Sequence, residues 1–519
     1  MSSTITDAET FIKGPQLAEM LARLAAEKPN RPYLVDHQGA VTAGELDRRV
    51  DVAADRLREL GVDASSRVGV ALPVGVDHVV VIFALLRLEA LWVPLNPQLK
   101  GVPLRHQLED SAATWTIVEA DGALASELPV SGEAKVLSIP ESAQPLAVLQ
   151  LEESEKPAPR GDARLLMYTS GTTGPPKGVL VNESMLKAAV LGAQHVTEPR
   201  PGDVFYVWEP LFHIGGAQLV FLPLIEEVTL ALVPRFSASR FWEDIAYFGV
   251  THIHYLGGVL QILLQLPPSE LERRNQVRVA WGAGATPAVR AACADRFEFE
   301  LRECYGMTET SSIVTVNRND PDAGVGEVLP WFEIGIGATT GEFEVGAETG
   351  EILVKGLVPG LLTAGYLGNR EATEAARRGE WFLTGDRGYR DTHGSLHFLG
   401  RGSDSIRVKG ENVSAWQIED VFGAHPDVDR CAVVGVDAQV GEQDMVLFVT
   451  AAQGIEPDPR SILTWGAQRL APFQVPRYAK VVNSMPLTPS QRVAKHRLSR
   501  NLDDAVDRAK PIEADRFPS

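Results

Sequence analysis

The chain has 519 residues, of which 45% are hydrophobic, and it carries 49 basic against 68 acidic residues for a formal net charge of -19. This length allows more than one hydrophobic core, since a domain typically holds about 100–200 residues. The acidic balance, without any basic run, excludes a nucleic-acid-binding face, so an anionic ligand must be held by local groups.

The cysteine content and the apolar segments indicate the cellular compartment in which the protein is expected to act. Cys293, Cys304 and Cys431 are widely spaced and odd in number, which favours a reduced, cytoplasmic protein over a disulfide framework. Residues 1–13 are polar and acidic, so we expect no secretory signal. The most apolar segment, 79–95, contains two charged residues and falls short of the about 20 apolar residues of a membrane span. It predicts a core helix that leads into a strand.

Alternating hydrophobic patterns predict the fold class. Helical patterns over 16–26 and 43–60 alternate with β-branched runs over 68–72 and 91–94. This alternation predicts an α/β fold, with a large N-terminal domain of several sheets covered by helices. The charged, proline-containing segment 152–162 predicts a surface connection.

A glycine-rich loop follows a predicted apolar strand at 165–168. Residues 168–179 read Tyr-Thr-Ser-Gly-Thr-Thr-Gly-Pro-Pro-Lys-Gly-Val. The glycines let backbone N–H groups point at an anion, the hydroxyls add donors and Lys177 adds a positive charge. The loop therefore predicts a polyphosphate site. It is not a Walker A motif, because Gly178 follows Lys177 and the glycine spacing differs.

Further along, residues 385–410 are dense in Gly, Asp and Arg, which predicts a turn-rich joint. We place a domain boundary there, between a large domain at 1–402 and a small one at 403–519. The charged tail from Arg500 onward predicts a frayed end.

The loop at 168–179 resembles the signature loop of the adenylate-forming superfamily, which includes acyl-CoA synthetases, luciferases and the adenylation domains of peptide synthetases. Further motifs of the superfamily follow in its order over most of the chain. They are Pro210-Leu-Phe-His-Ile-Gly-Gly216, Tyr305-Gly-Met-Thr-Glu-Thr310, Glu351-Ile-Leu-Val-Lys-Gly356, Thr384-Gly-Asp386, and Gly400-Arg-Gly-Ser-Asp404 through Lys409-Gly410. The resemblance, to the acyl-CoA synthetase branch, implies ATP or AMP in an acyl-adenylate, CoA and Mg²⁺ as cofactors, and a small-molecule carboxylic acid as substrate.

The resemblance also implies roles for residues of the large domain. Tyr305 would stack on the adenine, since its ring is a flat apolar face, and Asp386 would accept the ribose hydroxyls. Thr308 would donate to the α-phosphate, and Glu309 would help hold Mg²⁺, a hard ion that prefers oxygen ligands. The implied nucleotide-binding residues are Thr169, Ser170, Gly171, Thr172, Thr173, Gly174, Lys177, Gly282, Ala283, Gly284, Tyr305, Asp386 and Arg401.

An acyl pocket is implied at five positions, where paired glycines leave room for a bulky acid. Apart from the motif, a histidine between two apolar neighbours, as at position 213, is typical of a core residue. The implied pocket residues are His213, Tyr255, Gly257, Gly258 and Trp281.

Ser403 falls at the superfamily's hinge, where Asp or Lys is usual. The resemblance implies a small, mobile α+β C-terminal domain that takes one orientation for adenylation and another for thioester formation, turning about few residues. In the second orientation Lys409 and Gly410 would face the active site, and Gly410 would let the pantetheine arm of CoA pass close to the backbone.

One segment departs from the superfamily. Members carry Pro-Lys-Thr-Pro-Thr-Gly-Lys, whose final lysine bridges the substrate carboxylate and the α-phosphate during adenylation, whereas this chain reads Pro486-Leu-Thr-Pro-Ser-Gln-Arg492. Arg492 thus replaces the catalytic lysine and Gln491 the glycine, and Lys495 stands where members often have a basic residue. A guanidinium is a broad planar fork and an ammonium a compact donor, so we predict that adenylation is impaired by about 10²- to 10³-fold.

The thioester step does not use this lysine, so the sequence predicts an enzyme that receives a preformed acyl-adenylate from a separate adenylating enzyme, transfers the acyl group to CoA and releases AMP. Such a division of labour resembles the acyl-CoA ligases of platensimycin and platencin biosynthesis, which act on terpenoid acids. Three alternatives stay open: a complete two-step ligase that uses Arg492, transfer to a carrier-protein thiol, and a non-catalytic adenylate-binding protein.

Overall fold

The structure is a computed structural model. It describes residues 2–99, 101–120, 135–137, 139, 141–142, 145–151, 160–169, 176–318, 320, 322–338, 344–401, 405–408, 411–438, 443–470, 472, 474–488 and 492–509.

The first part of the chain alternates helices and strands, as the hydrophobic patterns predict. Its elements are α1 (Ser2–Ile12), α2 (Leu17–Glu27), β1 (Pro32–Asp36), β2 (Gly39–Thr42), α3 (Ala43–Glu59), β3 (Arg67–Ala71), α4 (Val76–Arg87), β4 (Leu91–Pro94), α5 (Gly101–Ser111), β5 (Trp115–Glu119), β6 (Lys135–Leu137), β7 (Leu146–Gln150), β8 (Ala163–Thr169), β9 (Lys177–Asn182) and α6 (Glu183–Thr197).

The segment predicted as a core helix leading into a strand is α4 followed by β4. Every residue of α4 from His78 to Leu86 is buried. The helix lies inside the domain, which explains why apolar residues cover all of its faces. Side-chain caps begin two other helices, with Thr42 accepting from the Glu45 N–H at α3 and Asn182 from the Met185 N–H at α6. Within the described ranges, no helix is long and apolar enough to cross a membrane.

The middle of the chain continues the alternation. Its elements are β10 (Val204–Val207), α7 (Ile214–Leu219), β11 (Thr229–Leu232), α8 (Phe241–Phe248), β12 (His252–Leu256), α9 (Gly257–Gln265), α10 (Glu270–Arg273), β13 (Val279–Ala283), α11 (Pro287–Phe297), β14 (Glu300–Tyr305), β15 (Thr315–Arg318) and β16 (Glu327–Val328).

Two large sheets organise these strands. One has the order β16-β15-β14-β13-β12-β10-β11-β1-β2 and the other β6-β7-β5-β3-β4-β8-β9. In the first sheet, β10 to β14 pair in parallel in the order β11-β10-β12-β13-β14. Helices α3, α4 and α6 pack in one continuous apolar core with both sheets. The predicted α/β fold class with several helix-covered sheets is confirmed.

The last part of the chain is richer in antiparallel strands. Its elements are β17 (Phe332–Gly337), β18 (Gly350–Gly356), α12 (Arg370–Ala375), β19 (Arg377–Arg378), β20 (Trp381–Arg390), β21 (Leu396–Arg401), β22 (Ser405–Val408), β23 (Glu411–Ser414), α13 (Ala415–Gly423), β24 (Val428–Asp437), β25 (Gln443–Ala451), α14 (Pro459–Ala467), β26 (Tyr478–Val481) and β27 (Val506–Asp507).

These strands form a sheet β17-β18-β20-β19 with β21 paired to β20, a hairpin of β22 and β23, and a sheet β24-β25-β26-β27. A separate apolar cluster contains only residues from 406 onward. The smaller C-terminal unit is therefore α+β, as expected, while the boundary at 402/403 stays a prediction.

Two expectations about this region need correction. The stretch 385–410 is not mainly turns, since its described residues lie largely in β20, β21 and β22. Charged residues such as Asp386 and Arg401 are typical of turns, but here the two are register partners on neighbouring strands. The tail from Arg500 is not frayed throughout, because β27 pairs with β26.

Candidate functional site

The carboxyl ends of β10, β12, β13 and β14 meet at one edge of the first sheet, since these strands are adjacent and parallel. Ligands of open α/β sheets bind at such an edge. This edge, which we call the strand-end site, contains Glu209 after β10, His254 in β12, Trp281 in β13 and Tyr305 at the end of β14.

Tyr305 and Asp386 lie together although 81 positions separate them. The Tyr305 hydroxyl donates to Asp386 Oδ2 at 2.9 Å, and both residues are buried. The Tyr305 ring also lies 5.8 Å from the ring of Phe398 on β21. The proposed adenine and ribose residues therefore form one surface, on which an aromatic ring adjoins a carboxylate.

Thr308 and Glu309 follow β14 in a 3-10 turn, Thr308–Thr310. Both are buried, and Glu309 Oε1 accepts a hydrogen bond from the Tyr366 hydroxyl at 3.0 Å. The next residues, Ser311 and Ser312, have left-handed backbones with φ of 58° and 72°. Such strained conformations persist where the surrounding structure holds them, and here they end the turn that carries the two predicted phosphate-site residues.

The glycine-rich loop joins β8 to β9, and its ends are fixed because Thr169 and Lys177 are register partners. The predicted residues between them lie outside the described residues: Ser170, Gly171, Thr172, Thr173 and Gly174. The Lys177 ammonium lies 5.1 Å from the ring centroid of Tyr366. Tyr366 thus contacts both Lys177 and Glu309, a role that the sequence did not suggest because Tyr366 belongs to none of the motifs.

A buried carboxylate, Glu303, supports the end of β13, where the implied nucleotide-binding residues Gly282, Ala283 and Gly284 lie. Glu303 Oε1 accepts the Gly284 N–H at 2.5 Å and the Ala285 N–H at 3.3 Å, and Oε2 accepts the Tyr255 hydroxyl at 2.6 Å. Gly282 in β13 must be a glycine, because a Cβ there would lie 1.8 Å from the carbonyl oxygen of its register partner Tyr255 on β12. Tyr255 and Glu303 therefore position the backbone of residues 282–285.

We expect Glu303→Gln to change the pH dependence of stability. Burial raises the pKa of Glu303 from 4.5 to about 7, although the bonds from Tyr255 and Gly284 oppose the shift. Between these values the folded protein binds more protons than the unfolded chain, so the free energy of unfolding falls as pH rises. The amide does not titrate, so the variant escapes this loss. Its free energy of unfolding minus that of the wild type should therefore rise by about 2 kcal/mol from pH 5 to pH 8.

Urea denaturation of both proteins across this pH range measures the difference. Any constant effect of the amide on stability cancels, because only the change with pH is compared. Parallel curves for the two proteins would contradict the assignment.

A buried carboxylate that the sequence analysis missed, Glu209, lies close to His254 and is influenced by the predicted acyl residue His213. Glu209 Oε2 lies 2.7 Å from His254 Nδ1, and the His254 ring lies 4.4 Å from that of Trp281. Burial raises the pKa of Glu209, but the charges of His254, His213 and Arg492 outweigh it and hold the pKa below its ordinary value. Burial lowers the pKa of His213, and the Glu209 charge only partly opposes this shift. These shifts favour the ionised form of Glu209 and the neutral form of His213.

Arg492 lies at the base of a hairpin-like loop of the C-terminal unit. Leu487 and Val493 form an antiparallel bridge, the Thr488 N–H donates to the Arg492 carbonyl at 2.7 Å, and the Arg492 N–H donates to Thr488 Oγ1 at 3.1 Å. Its exposed side chain is close enough for its charge to lower the pKa of Glu209 and of His213. The residue in the lysine position therefore influences the electrostatics of the strand-end site.

Lys495 is held elsewhere, since its ammonium lies 3.0 Å from Glu419 Oε1 on α13. This contact gives Lys495 a structural partner and agrees with the choice of Arg492 as the residue in the lysine position. Gln491 lies outside the described residues.

The remaining predicted residues are placed less fully. Gly257 and Gly258 begin α9, and Arg401 ends β21, directly across from Asp386. The hinge and CoA-facing residues lie outside the described residues: Ser403, Lys409 and Gly410. Their roles stay predictions.

Comparison with known proteins explains the joint occurrence of these features. The family model for AMP-binding enzymes matches residues 21–367, and the model for the C-terminal domain of AMP-binding enzymes matches residues 417–492. The chain belongs to the AMP-binding enzyme family. Arg492 is the last residue of the second match. The family comprises relatives such as a 2-succinylbenzoate–CoA ligase of Bacillus cereus, 30% identical over 92% of this chain and 96% of that protein.

Solved structures of AMP-binding enzymes share the fold. The o-succinylbenzoate CoA synthetase of Bacillus subtilis, solved with its acyl-adenylate intermediate, is 25% identical with a TM-score of 0.77, covering 94% of this chain and 98% of that one. The same synthetase with ATP and a magnesium ion gives a TM-score of 0.78 at 25% identity, covering 92% and 98%. The prediction of the superfamily is thereby confirmed.

Proposed function

We propose that this protein is an acyl-CoA ligase that acts mainly in the thioester-forming half-reaction. The CoA thiol loses its proton to solvent and its sulfur attacks the acyl carbonyl carbon of an acyl-adenylate. A C–S bond forms, the acyl–phosphate C–O bond breaks, and AMP leaves with the electron pair. The similarity to 2-succinylbenzoate–CoA ligase over nearly the whole chain supports ligase activity. The observation that carries the bias is Arg492 at the position of the adenylating lysine.

The strand-end site fits the AMP part of such a substrate. Tyr305 would stack on the adenine and Asp386 would accept the ribose hydroxyls, since the two side chains adjoin at 2.9 Å. Thr308 would donate to the single phosphate. These groups bind and orient the adenylate, so its acyl carbon is presented towards the residues near His213.

Glu309 fits a magnesium ion that accompanies ATP. Among the described residues, no group of three or more His, Cys, Asp or Glu side chains could hold a metal. Mg²⁺ commonly binds through one or two carboxylates, water and substrate phosphates, so a single buried carboxylate matches that pattern. The ion would neutralise phosphate charge in the adenylating direction.

Arg492 is poorly suited to adenylation. A guanidinium presents five donors in a fixed plane, whereas the bridging role needs a compact cation between a carboxylate and a phosphate oxygen. The Glu209 carboxylate of the strand-end site also attracts Arg492, because the two side chains carry opposite charges. We expect this attraction to compete with the two oxygens that the guanidinium would have to bridge during adenylation.

The test compares two starting points with the same acyl group. Benzoyl-adenylate or cyclohexanecarbonyl-adenylate with CoA should release AMP and form thioester. The matching free acid with ATP, Mg²⁺ and CoA should form thioester at least about 100-fold more slowly. Comparable rates from both starting points would contradict the bias, and AMP release with a holo-carrier protein but not with CoA would reassign the acceptor.

The proposal implies a separate adenylating enzyme as partner, and the resemblance to the ligases of platensimycin and platencin biosynthesis suggests a terpenoid acid as the acyl group. The unpaired cysteines and the need for CoA fit a cytoplasmic enzyme. A complete two-step ligase is the second candidate, favoured by the similarity to a synthetase that binds ATP and magnesium. The comparison of adenylate with free acid decides between the two.

A further inference from the structure

The strand-end site contains a polar pair, Glu209 and His254, to which none of the roles above assigns a function. Glu209 is 5% exposed and His254 is 8% exposed, and their Oε2 and Nδ1 atoms lie 2.7 Å apart. Burying such a polar pair is weak evidence for stability, because well-packed apolar residues in its place are often as stable or more so. The presence of this pair therefore needs another reason.

The surroundings of Glu209 are shaped to hold it. A Cβ at Gly215 would lie 2.5 Å from Glu209 Oε2, so the carboxylate occupies the space that a side chain there would fill. The Trp208 indole donates to the His254 carbonyl at 2.7 Å, which fixes β12 beside the segment of Glu209. The pair is thus supported from both strands.

Further polar atoms beside the pair have no partner in the described part of the chain. The buried Nε2 of His213 and Nε1 of Trp281 make no hydrogen bond there. Glu209 Oε2 and His254 Nδ1 lie 2.7 Å apart but also lack an aligned hydrogen bond. Buried polar groups are normally satisfied, so such a cluster at a ligand-binding edge points to a ligand that completes it. A purely hydrocarbon acyl group would leave these atoms unsatisfied.

Building on the proposed ligase function, we infer that Glu209 and His254 bind a hydroxyl group carried by the acyl part of the adenylate. The hydroxyl donates to the Glu209 carboxylate, and His254 holds that carboxylate in place. The enzyme would therefore select hydroxylated acids over otherwise identical hydrocarbon acids. A site built to bind a substrate hydroxyl rejects the analogue that lacks it, because its own buried groups then lose their partner.

Binding of non-reactive adenylate analogues tests this inference without turnover. Four acylsulfamoyl-adenosines carry a cyclohexanecarbonyl group or its 2-, 3- or 4-hydroxy form, and calorimetry gives each Kd. At least one hydroxylated analogue should bind about 10- to 100-fold more tightly than the parent, as expected for a hydrogen bond to a charged acceptor.

Variants assign the preference to the pair. The double change Glu209→Leu and His254→Leu should bring the hydroxyl-to-parent affinity ratio close to one while the parent still binds, and Glu209→Gln should give an intermediate ratio. Asp203→Asn is the control, because Asp203 is also buried and bonded to Arg278, but it precedes β10 at the opposite end of the strand. This control should lose stability and keep the ratio.

Less than a threefold preference for every hydroxylated analogue in the wild type would overturn the inference. An equal loss of affinity for all four analogues in the double variant would also overturn it. Glu209 would then serve to position Arg492 or to stabilise the fold, and it would not bind the hydroxyl. Because the analogues do not react, failure of the half-reaction proposal would leave the affinity ratio intact, and the two ideas fail separately.

Discussion

Arg492→Lys is expected to raise acid-dependent ATP–pyrophosphate exchange by about 10²-fold or more, the size of effect that one charge-stabilising donor has on a reaction rate. The loop that carries residue 492 is held at its base by Thr488 and by the bridge of Leu487 to Val493, so the new ammonium would start from a backbone already placed near the site. A lysine places one compact donor between two oxygens, which the planar fork cannot do.

Adding Gln491→Gly should raise exchange further, since glycine restores the backbone freedom of the superfamily loop. Conversion of supplied adenylate and CoA into thioester should stay near the wild-type rate in both variants. Arg497→Lys is the matched control, because it makes the same chemical change in the adjoining 3-10 turn and should alter neither assay. Brisk exchange by the unmodified enzyme, or no gain in the lysine variant, would show that Arg492 does not limit adenylation.

Asp386→Ala is expected to lower kcat/KM for a supplied acyl-adenylate by at least about 100-fold, mainly through KM. The change would remove the proposed acceptor for the ribose hydroxyls, and hydrogen bonds to a charged group contribute about 1.5–3 kcal/mol each. It also leaves the Tyr305 hydroxyl without the carboxylate to which it donates at 2.9 Å, so the adenine-facing ring loses its anchor.

Tyr305→Phe separates these two effects. It removes the same contact but keeps the ring and the carboxylate, so we expect a loss of only a few-fold. Steady-state AMP release with varied adenylate, and the Kd of the non-reactive parent analogue, measure both variants. Equal losses in the two variants would mean that Asp386 serves to hold Tyr305 and does not contact the ribose.

Local patterns in the sequence were enough for many elements and for the superfamily motifs. The helix α4 and the strand β4 could be predicted because an apolar run that ends in a β-branched segment has few other ways to be buried. Tyr305 and Asp386 could be assigned because their motifs are short and contiguous. The strands around Asp386 were misjudged as turns, since their glycines and charges are typical of turns when the partner strand is unknown.

The missed residues have no such local signal. Glu209 is an acid directly before the motif that contains His213, which could have drawn attention, but His254 lies 45 positions later in an ordinary buried strand. Their 2.7 Å contact exists because β10 and β12 are parallel neighbours. Glu303 and Tyr366 likewise gain their roles only from partners far along the chain.

The sequence by itself therefore determined the α/β class, the superfamily and the replacement of its lysine by Arg492, because each is written in contiguous residues or in their periodicity. Only the tertiary structure decided that the charge of Arg492 lowers the pKa of Glu209 and of His213. It also decided that Glu303 supports the backbone after β13, and that the Glu209 carboxylate lies beside the His254 imidazole in the strand-end site. Strand order and loop placement bring those groups together, and the burial of Glu209 and Glu303 makes their carboxylates sensitive to neighbouring groups, because desolvated charges interact far more strongly than exposed ones.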